Sequence, residues 1–361
     1  MIIKSLKIKN YRNYNEEEIF FDKGTNILYG DNAQGKTNIL ESIFLSATTK
    51  SHKGSKANEI IKFDKEETHI QTILEKKNIE YKINISIKKN DKKEVAINNQ
   101  KIKKISELLG IMNVVLFSPE DLSIIKNGPA ERRKFLNIEL CQLDKTYLYN
   151  LNYYNKIVNQ RNKLFKDMSK DMNLKKTISV WNMQLVVYGK KIIEKREEFI
   201  NELGMILKEI HYNLTGKKEE VDIIYKPNVS TENLENKLEE NVEKDIYLKQ
   251  TTVGPHRDDI EFFINKIDVR KFGSQGQQRM VALSLKLAEI ELVKRTINDN
   301  PILLLDDVLS ELDNKRQKFL LDYLGEMQTI ITCTGLDEFI NDRFRMDKVL
   351  KVVDGIVEVY N

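Results

Sequence analysis

The chain has 361 residues, of which 40% are apolar, and its 59 basic and 55 acidic side chains leave a net charge of +4. That supplies ample apolar material for one large or two ordinary cores, while the balanced charge means that any nucleic-acid contact needs a local basic patch. No apolar run is long enough to cross a membrane, and the opening MIIKSLKIKNYRN alternates apolar with basic residues, so a cytoplasmic protein with no membrane contact is expected. Cys141 and Cys333 lack any partner motif, which excludes a zinc ribbon, a CxxC hook and a disulfide scaffold.

Residues 1–117 read as strands with one early helix. Leu6 and Ile8 alternate with lysines, and residues 18–21 and 25–29 form further apolar runs, the second ending in a glycine loop. Alternation over 68–74, 79–87 and 95–102 predicts an antiparallel meander with a tight turn at Asn98-Asn99. From 118 to 243 the pattern is helical. Pro119 opens one segment, Gly128-Pro129 breaks it, and helical spacing continues through Leu136, Leu140, Leu143, Tyr147 and Leu151. A long helix is expected over 181–210, pairing with its predecessor as a short antiparallel arm broken near 168–177, without the heptads of a long coiled coil. The aromatic stripe of Tyr147, Tyr149, Tyr153 and Tyr154 is read as packing in preference to a base-stacking surface. Residues 244–361 return to mixed structure: a strand at 260–264, a helix over 275–296, and a wholly apolar strand at 302–305 of the kind buried on both faces of a parallel sheet. Further alternation follows at 320–324, 329–332 and 349–353. The expected fold is α/β, a nucleotide-binding head with mixed sheets made by 1–117 and 244–361, into which the helical arm domain 118–243 is inserted.

Three motifs carry the chemistry. The first is GDNAQGKT, between an apolar strand and an amphipathic helix with Ile39, Leu40, Ile43 and Phe44, which is the setting a phosphate loop requires. Its glycines let backbone amides close around phosphate oxygens, and the helix amino end adds a favourable dipole. Gly30, Asp31, Asn32, Ala33, Gln34, Gly35, Lys36, Thr37 and the following Asn38 are therefore candidate ATP contacts, with Lys36 on the β and γ phosphates and Thr37 on Mg²⁺. The second is ILLLDDVLSELD, in which a buried strand delivers Asp306 toward Mg²⁺ and sets Asp307 against the attacking water. In the third, FGSQGQQRM, Ser274 is placed to cap a long helix and Gly276 lies in its first turn, making a second anion site. The first loop already wraps a triphosphate, so both sites are best used by a head-to-tail homodimer in which Ser274 and Gly276 of one copy touch the γ-phosphate held by Lys36 of the other. The catalytic set is thus Lys36, Asp306, Asp307 and Ser274.

In this order and at these separations, GDNAQGKT, FGSQGQQR and DDVLSELD resemble the phosphate loop, signature and D-loop of the ABC ATPases related to SMC proteins. KNYRNY, FSPEDL, NGPAERRKFLN, TTVGPHRDD and SQGQQRMVALSLKLAE place the chain, over essentially its full length, with that superfamily's bacterial recombination and gap-repair members. The resemblance implies that Arg12 approaches the nucleotide beside the phosphate loop. It also implies an ATP-dependent dimer that binds double-stranded DNA at gapped junctions, is a weak DNA-stimulated ATPase, and helps mediator proteins of the RecR/RecO type to load a recombinase. Two departures stand out. FSPEDL holds no glutamine to position water, and TIITCTGLDE has no switch histidine, leaving Thr332 or Thr334 in its place. His256, in a polar turn before the signature, is open between a structural role and a place near the nucleotide or dimer face.

A transporter head would share the three motifs but is compact, whereas well over half of this chain separates Lys36 from Ser274. An SMC-like tether would need hundreds of coiled-coil residues, and a nuclease would need a further acidic metal domain. An ATP-switched scaffold acting mainly through protein partners stays as the alternative. For DNA, the basic clusters Arg132, Arg133, Lys134 and Lys190, Lys191 are the candidate phosphate contacts.

Overall fold

The computed structural model describes residues 1–90, 92–168, 172–325, 327–335 and 346–360, the side chains of 172, 173, 311 and 314 aside. Two compact units emerge: Met1–Asp121 with Glu289–Asn361, and Leu122–Ala288.

The first unit holds two six-stranded sheets. One is an antiparallel meander in which Glu67–Lys76 pairs with Ile2–Tyr11 on one side and Ile79–Lys88 on the other. Its residues alternate between buried and half-buried, as expected of a sheet with one face on a core. Asn98 and Asn99 take φ of 50° and 66°, the left-handed pair that closes a two-residue hairpin between Lys93–Ile97 and Gln100–Lys101. In the other sheet Thr25–Tyr29, Thr329–Cys333, Ile302–Asp306 and Val114–Phe117 run parallel, with Lys348–Val353 parallel beside Thr25–Tyr29. Ile302, Leu303, Leu304 and Leu305 are all fully buried, which is why their run shows no alternation. The helix Lys36–Thr48 touches strands of both sheets and is buried almost all round, so the amphipathic pattern expected for it is not what forms. Its hydroxyls avoid going unpaired by bonding backwards: Ser46 Oγ to the Ser42 carbonyl at 3.0 Å and Thr48 Oγ1 to that of Phe44 at 2.8 Å.

The second unit is built on an antiparallel helix pair, Lys145–Asp167 and Ile178–Leu214, joined through a 3-10 turn at Met172–Thr177. Asp144 caps the first helix by accepting from the N–H groups of Thr146 and Tyr147. The unit is not purely helical. Val221–Lys226 pairs antiparallel with Asp259–Ile264, and Ile267–Asp268 adds a third strand. Three ion pairs fix it internally: Arg161 to Asp245, Arg196 to Asp258 and Arg132 to Asp259. The sequence division at 243/244 and the observed one at 288/289 differ because these pairs and this sheet hold residues 245–268 to the helices. Among the described residues no helix is long and apolar enough to cross a membrane.

Candidate functional site

In the first unit the loop after Thr25–Tyr29 reaches the helix Lys36–Thr48 through two glycines with positive φ, 153° at Gly30 and 113° at Gly35. A side chain at either would also collide: a Cβ on Gly30 would lie 2.2 Å from the Val352 carbonyl oxygen, and one on Gly35 2.6 Å from Asn13 Nδ2. Packing, as well as the approach of phosphate, therefore demands glycine here. Lys36 is buried and donates to the carbonyls of Gly30 at 2.6 Å and Asp31 at 2.9 Å, so its ammonium is held over the loop. Among the described residues no backbone N–H from Asp31 to Thr37 has a protein acceptor. A run of N–H donors without protein acceptors at a helix amino end is suited to cradle an anion.

The strand Ile302–Asp306 ends beside this cradle. Thr37 Oγ1 donates to Asp306 Oδ1 at 2.8 Å, and Thr332 Oγ1 donates to the same oxygen at 2.9 Å. Burial pushes the Asp306 carboxyl above the usual aspartate range, and the two hydroxyl bonds only partly oppose this. A buried carboxylate next to a threonine hydroxyl is the kind of oxygen set that suits Mg²⁺ completed by phosphate and water. Asp307 has φ of 52°, an unusual backbone for aspartate, held by its N–H to Thr332 Oγ1 at 2.9 Å and by Ser310 Oγ on its carbonyl at 2.7 Å. Thr332 is wholly buried and serves both aspartates, whereas Thr334 is exposed beyond the strand; the residues 336–338 of the same run lie outside those described.

Every side chain from Tyr11 to Tyr14 is turned onto the loop or its helix. Tyr11 Oη and Arg12 bond Glu41, Asn13 Nδ2 donates to the Gln34 carbonyl at 2.9 Å, and Tyr14 Oη donates to that of Gly35 at 3.0 Å. Arg12 grips the buried Glu41 with Nε at 2.9 Å and Nη2 at 2.8 Å, and also donates to Ser55 Oγ and the Glu59 carbonyl. Four of its five N–H groups are thereby engaged, which leaves one for a ligand. Glu41 went unnoticed in the sequence; a lone acid inside an otherwise apolar helix was the available signal.

The signature lies in the second unit, at the start of the helix Gln275–Ile297. Ser274 Oγ accepts from the Gln277 N–H at 3.2 Å, and Gln277 Oε1 accepts from the Ser274 N–H at 3.0 Å, a reciprocal capping box. The serine proton stays free to be donated. Gly276 is exposed, and a Cβ there would meet nothing closer than 3.9 Å, so nothing within the chain requires glycine. Gln277 Nε2 continues to Glu219 at 2.9 Å, and Glu219 lies 3.4 Å from Nε2 of His211, near the end of the long helix. Ser284 gives its proton to the Met280 carbonyl, so it accepts from His211 Nδ1. Burial lowers the His211 pKa, against the opposing pull of Glu219.

Other candidates are tied up inside the second unit. Arg132 is buried, chelating Asp259 at 2.6 and 3.0 Å and donating to the Ile124 and Asn127 carbonyls. Arg133 donates to the Asp258 carbonyl at 2.8 Å. Arg132 is therefore removed as a candidate phosphate contact, whereas Arg133 is half-buried and Lys134 exposed. His256 Nε2 donates to the Thr251 carbonyl at 2.9 Å, so its Nδ1 accepts from Tyr154 Oη at 2.8 Å and the ring is neutral. Burial takes its pKa down to about 4 from 6.5. As pH falls below 6.5 the unfolded chain binds a proton that the folded chain refuses until about pH 4, so stability is lost across that window. The expected slope is up to roughly 1.4 kcal/mol per pH unit. Urea unfolding of wild type and His256→Gln between those limits checks this: the variant should flatten the slope, and equal slopes would refute the neutral buried ring.

A cradle at the carboxyl ends of parallel strands, an adjacent acidic pair, and a serine-capped signature helix define an ABC-type ATPase head. Residues 2–357 match the family described as RecF/RecN/SMC N terminal domain. The chain belongs to that family, in its RecF branch. It is 58% identical to the DNA replication and repair protein RecF of Agathobacter rectalis, over 99% of each chain. To the same-named protein of Clostridium botulinum it is 47% identical over 94% of each. Among solved structures, that of the recombination mediator protein RecF-ATP in the RecFOR pathway superposes with a TM-score of 0.91 at 35% identity, over 99% of this chain and 97% of that one. An Smc head domain from Pyrococcus furiosus, at 16% identity and a TM-score of 0.57 over 99% and 95%, shares the fold.

Proposed function

We propose that this chain is an ATP-hydrolysing switch of DNA replication and repair that dimerises over ATP and, as a dimer, holds duplex DNA beside a single-strand gap. The observation that carries the reading is the run of backbone donors without protein acceptors from Asp31 to Thr37, with Lys36 poised above it and the Thr37–Asp306 pair beside it. The RecF names and ATP-bound relatives give the biological setting. The loop from Gly30 to Thr37, with Asn38 following, binds the triphosphate, and Arg12 offers its remaining N–H. Thr37 and Asp306 hold Mg²⁺, which neutralises phosphate charge when bound. Asp307 accepts the proton of the attacking water. Ser274, its oxygen already committed to the cap, donates its proton to the γ-phosphate of the partner copy, and the unfilled space at Gly276 admits that phosphate. Hydrolysis is slow and stimulated by DNA, and mediator proteins of the RecR/RecO type take over from the DNA-bound dimer to load recombinase. Cys141 and Cys333 are not disulfide-bonded, which suits a reducing cytoplasm.

Ser274→Arg should retain ATP binding and lose the ATP-dependent dimer, because bulk and charge enter the interface while the phosphate loop is untouched. Sedimentation with no nucleotide, ADP and ATP reads this out, and a full dimer in the variant would sink the composite site. DNA binding in ATP should weaken on the order of a hundredfold between about 50 and 200 mM salt if about four phosphates are contacted. An affinity that ignores salt would exclude backbone binding and favour the protein-scaffold alternative.

A further inference from the structure

The four tyrosines expected to pack together divide into two pairs. Tyr147 and Tyr154 are buried, their hydroxyls bonded to Asn137 and His256. Tyr149 and Tyr153 are 51% and 41% exposed. They meet Tyr188 of the facing helix: the rings of Tyr153 and Tyr188 are stacked 15° from parallel with centroids 5.5 Å apart, and Tyr149 lies 4.5 Å from Tyr153. The three rings form one aromatic surface in water. Folding gains little from leaving such large apolar surfaces uncovered, and although Tyr188 is half-buried, Tyr149 and Tyr153 keep about half of theirs in water.

The two helical segments that carry the rings hold charge of one sign, although Glu232 of another element lies near Lys190. No acidic residue occurs between Lys145 and Lys166, or between Ile178 and Ile193, in a chain rich in acids elsewhere. Lys156 and Lys191 are exposed, each three residues past an aromatic ring and so one helical turn from it, and neither makes an ion pair among the described residues. Aromatic faces interleaved with unpaired cations match a flexible polyanion that carries flat rings. We infer that Tyr149, Tyr153 and Tyr188, with Lys156 and Lys191, form a stacking platform for unpaired nucleotides of single-stranded DNA. Bases stack on the tyrosines while the lysines meet the phosphates. The inference rests on the proposed function in taking DNA as the partner and goes beyond it in giving the unpaired strand its own site. Val180, Met183 and Val187 are also exposed along the same helix, and a protein partner is the rival occupant.

The test uses the full chain with ATP, a thymidine oligonucleotide of about 20 residues, and a duplex of equal length. Tyr153→Ala and Tyr188→Ala should each weaken oligonucleotide binding roughly 5- to 100-fold while leaving duplex binding within about twofold. Tyr153→Phe should restore it, since stacking needs the ring and not the hydroxyl. Lys191→Glu should weaken it without removing any ring, which covers the case of an alanine variant that folds poorly. Unchanged oligonucleotide binding in the alanine variants overturns the platform, as does an equal loss for duplex. So does loss of a protein partner with oligonucleotide binding intact. If wild type binds duplex but the platform variants change nothing, only this inference fails; if wild type binds no DNA at all, the proposed function fails with it.

Discussion

Asp307→Asn is expected to keep ATP and the dimer while slowing single-turnover cleavage at least about a hundredfold. A general base must sit within hydrogen-bond reach of its water, and the amide cannot take the proton. The residue is set for that task by its surroundings. Its N–H is fixed by Thr332, its carbonyl by Ser310, and its left-handed backbone aims a side chain that is one methylene shorter than glutamate. A misplacement of about 1 Å can itself cost about a hundredfold, which is the ground for expecting slow turnover in the wild type as well. Asp306→Asn should behave differently, losing Mg²⁺-dependent nucleotide binding, because it removes the charge that Thr37 and Thr332 hold in place. Wild-type cleavage by Asp307→Asn would refute the base assignment.

Arg196→Met should destabilise the second unit by about 3–5 kcal/mol. The guanidinium is 1% exposed and donates to Asp258 Oδ2 at 2.7 Å, the Pro255 carbonyl at 2.6 Å, Tyr147 Oη at 3.0 Å and Asn137 Oδ1 at 2.9 Å. Removing it leaves the buried Asp258 carboxylate without its counter-charge, with only the Tyr225 hydroxyl and the Asn228 N–H as partners, which costs far more than the net worth of an intact pair. Arg196→Lys keeps the charge but loses the fork, so an intermediate loss is expected. Denaturant unfolding gives the measurement; ATP binding by the phosphate loop should survive in the folded variant while the ATP-dependent dimer weakens. An unchanged midpoint would show that the network contributes nothing.

The chemistry of the phosphate loop and of Asp306 was legible because it is written in consecutive residues. The serine cap of the signature is equally local, Ser274 and Gln277 being three apart. What the sequence concealed lay in partners far along the chain. Arg132 and Arg133 read as a basic cluster because their acceptors, Asp259 and the Asp258 carbonyl, come more than a hundred residues later. In the tyrosine stripe the signal was present but unused. Residues 147 and 154 are seven apart and share a helix face, while 149 and 153 fall on the opposite side, so periodicity alone separates packed from exposed rings. The strand Val221–Lys226 was hidden in a helical stretch because its pairing partner, Asp259–Ile264, lies far along the chain.

The helix Ile178–Leu214 carries Tyr188 toward one end and His211 near the other. Its 37 residues make a rod of about 55 Å, with about 35 Å between those two side chains. His211 Nε2 lies 3.4 Å from Glu219, Glu219 accepts from Gln277, and Gln277 accepts from the N–H of the signature serine. One helix thus spans from the half-exposed tyrosine to the neighbourhood of the side chains that cap the signature serine.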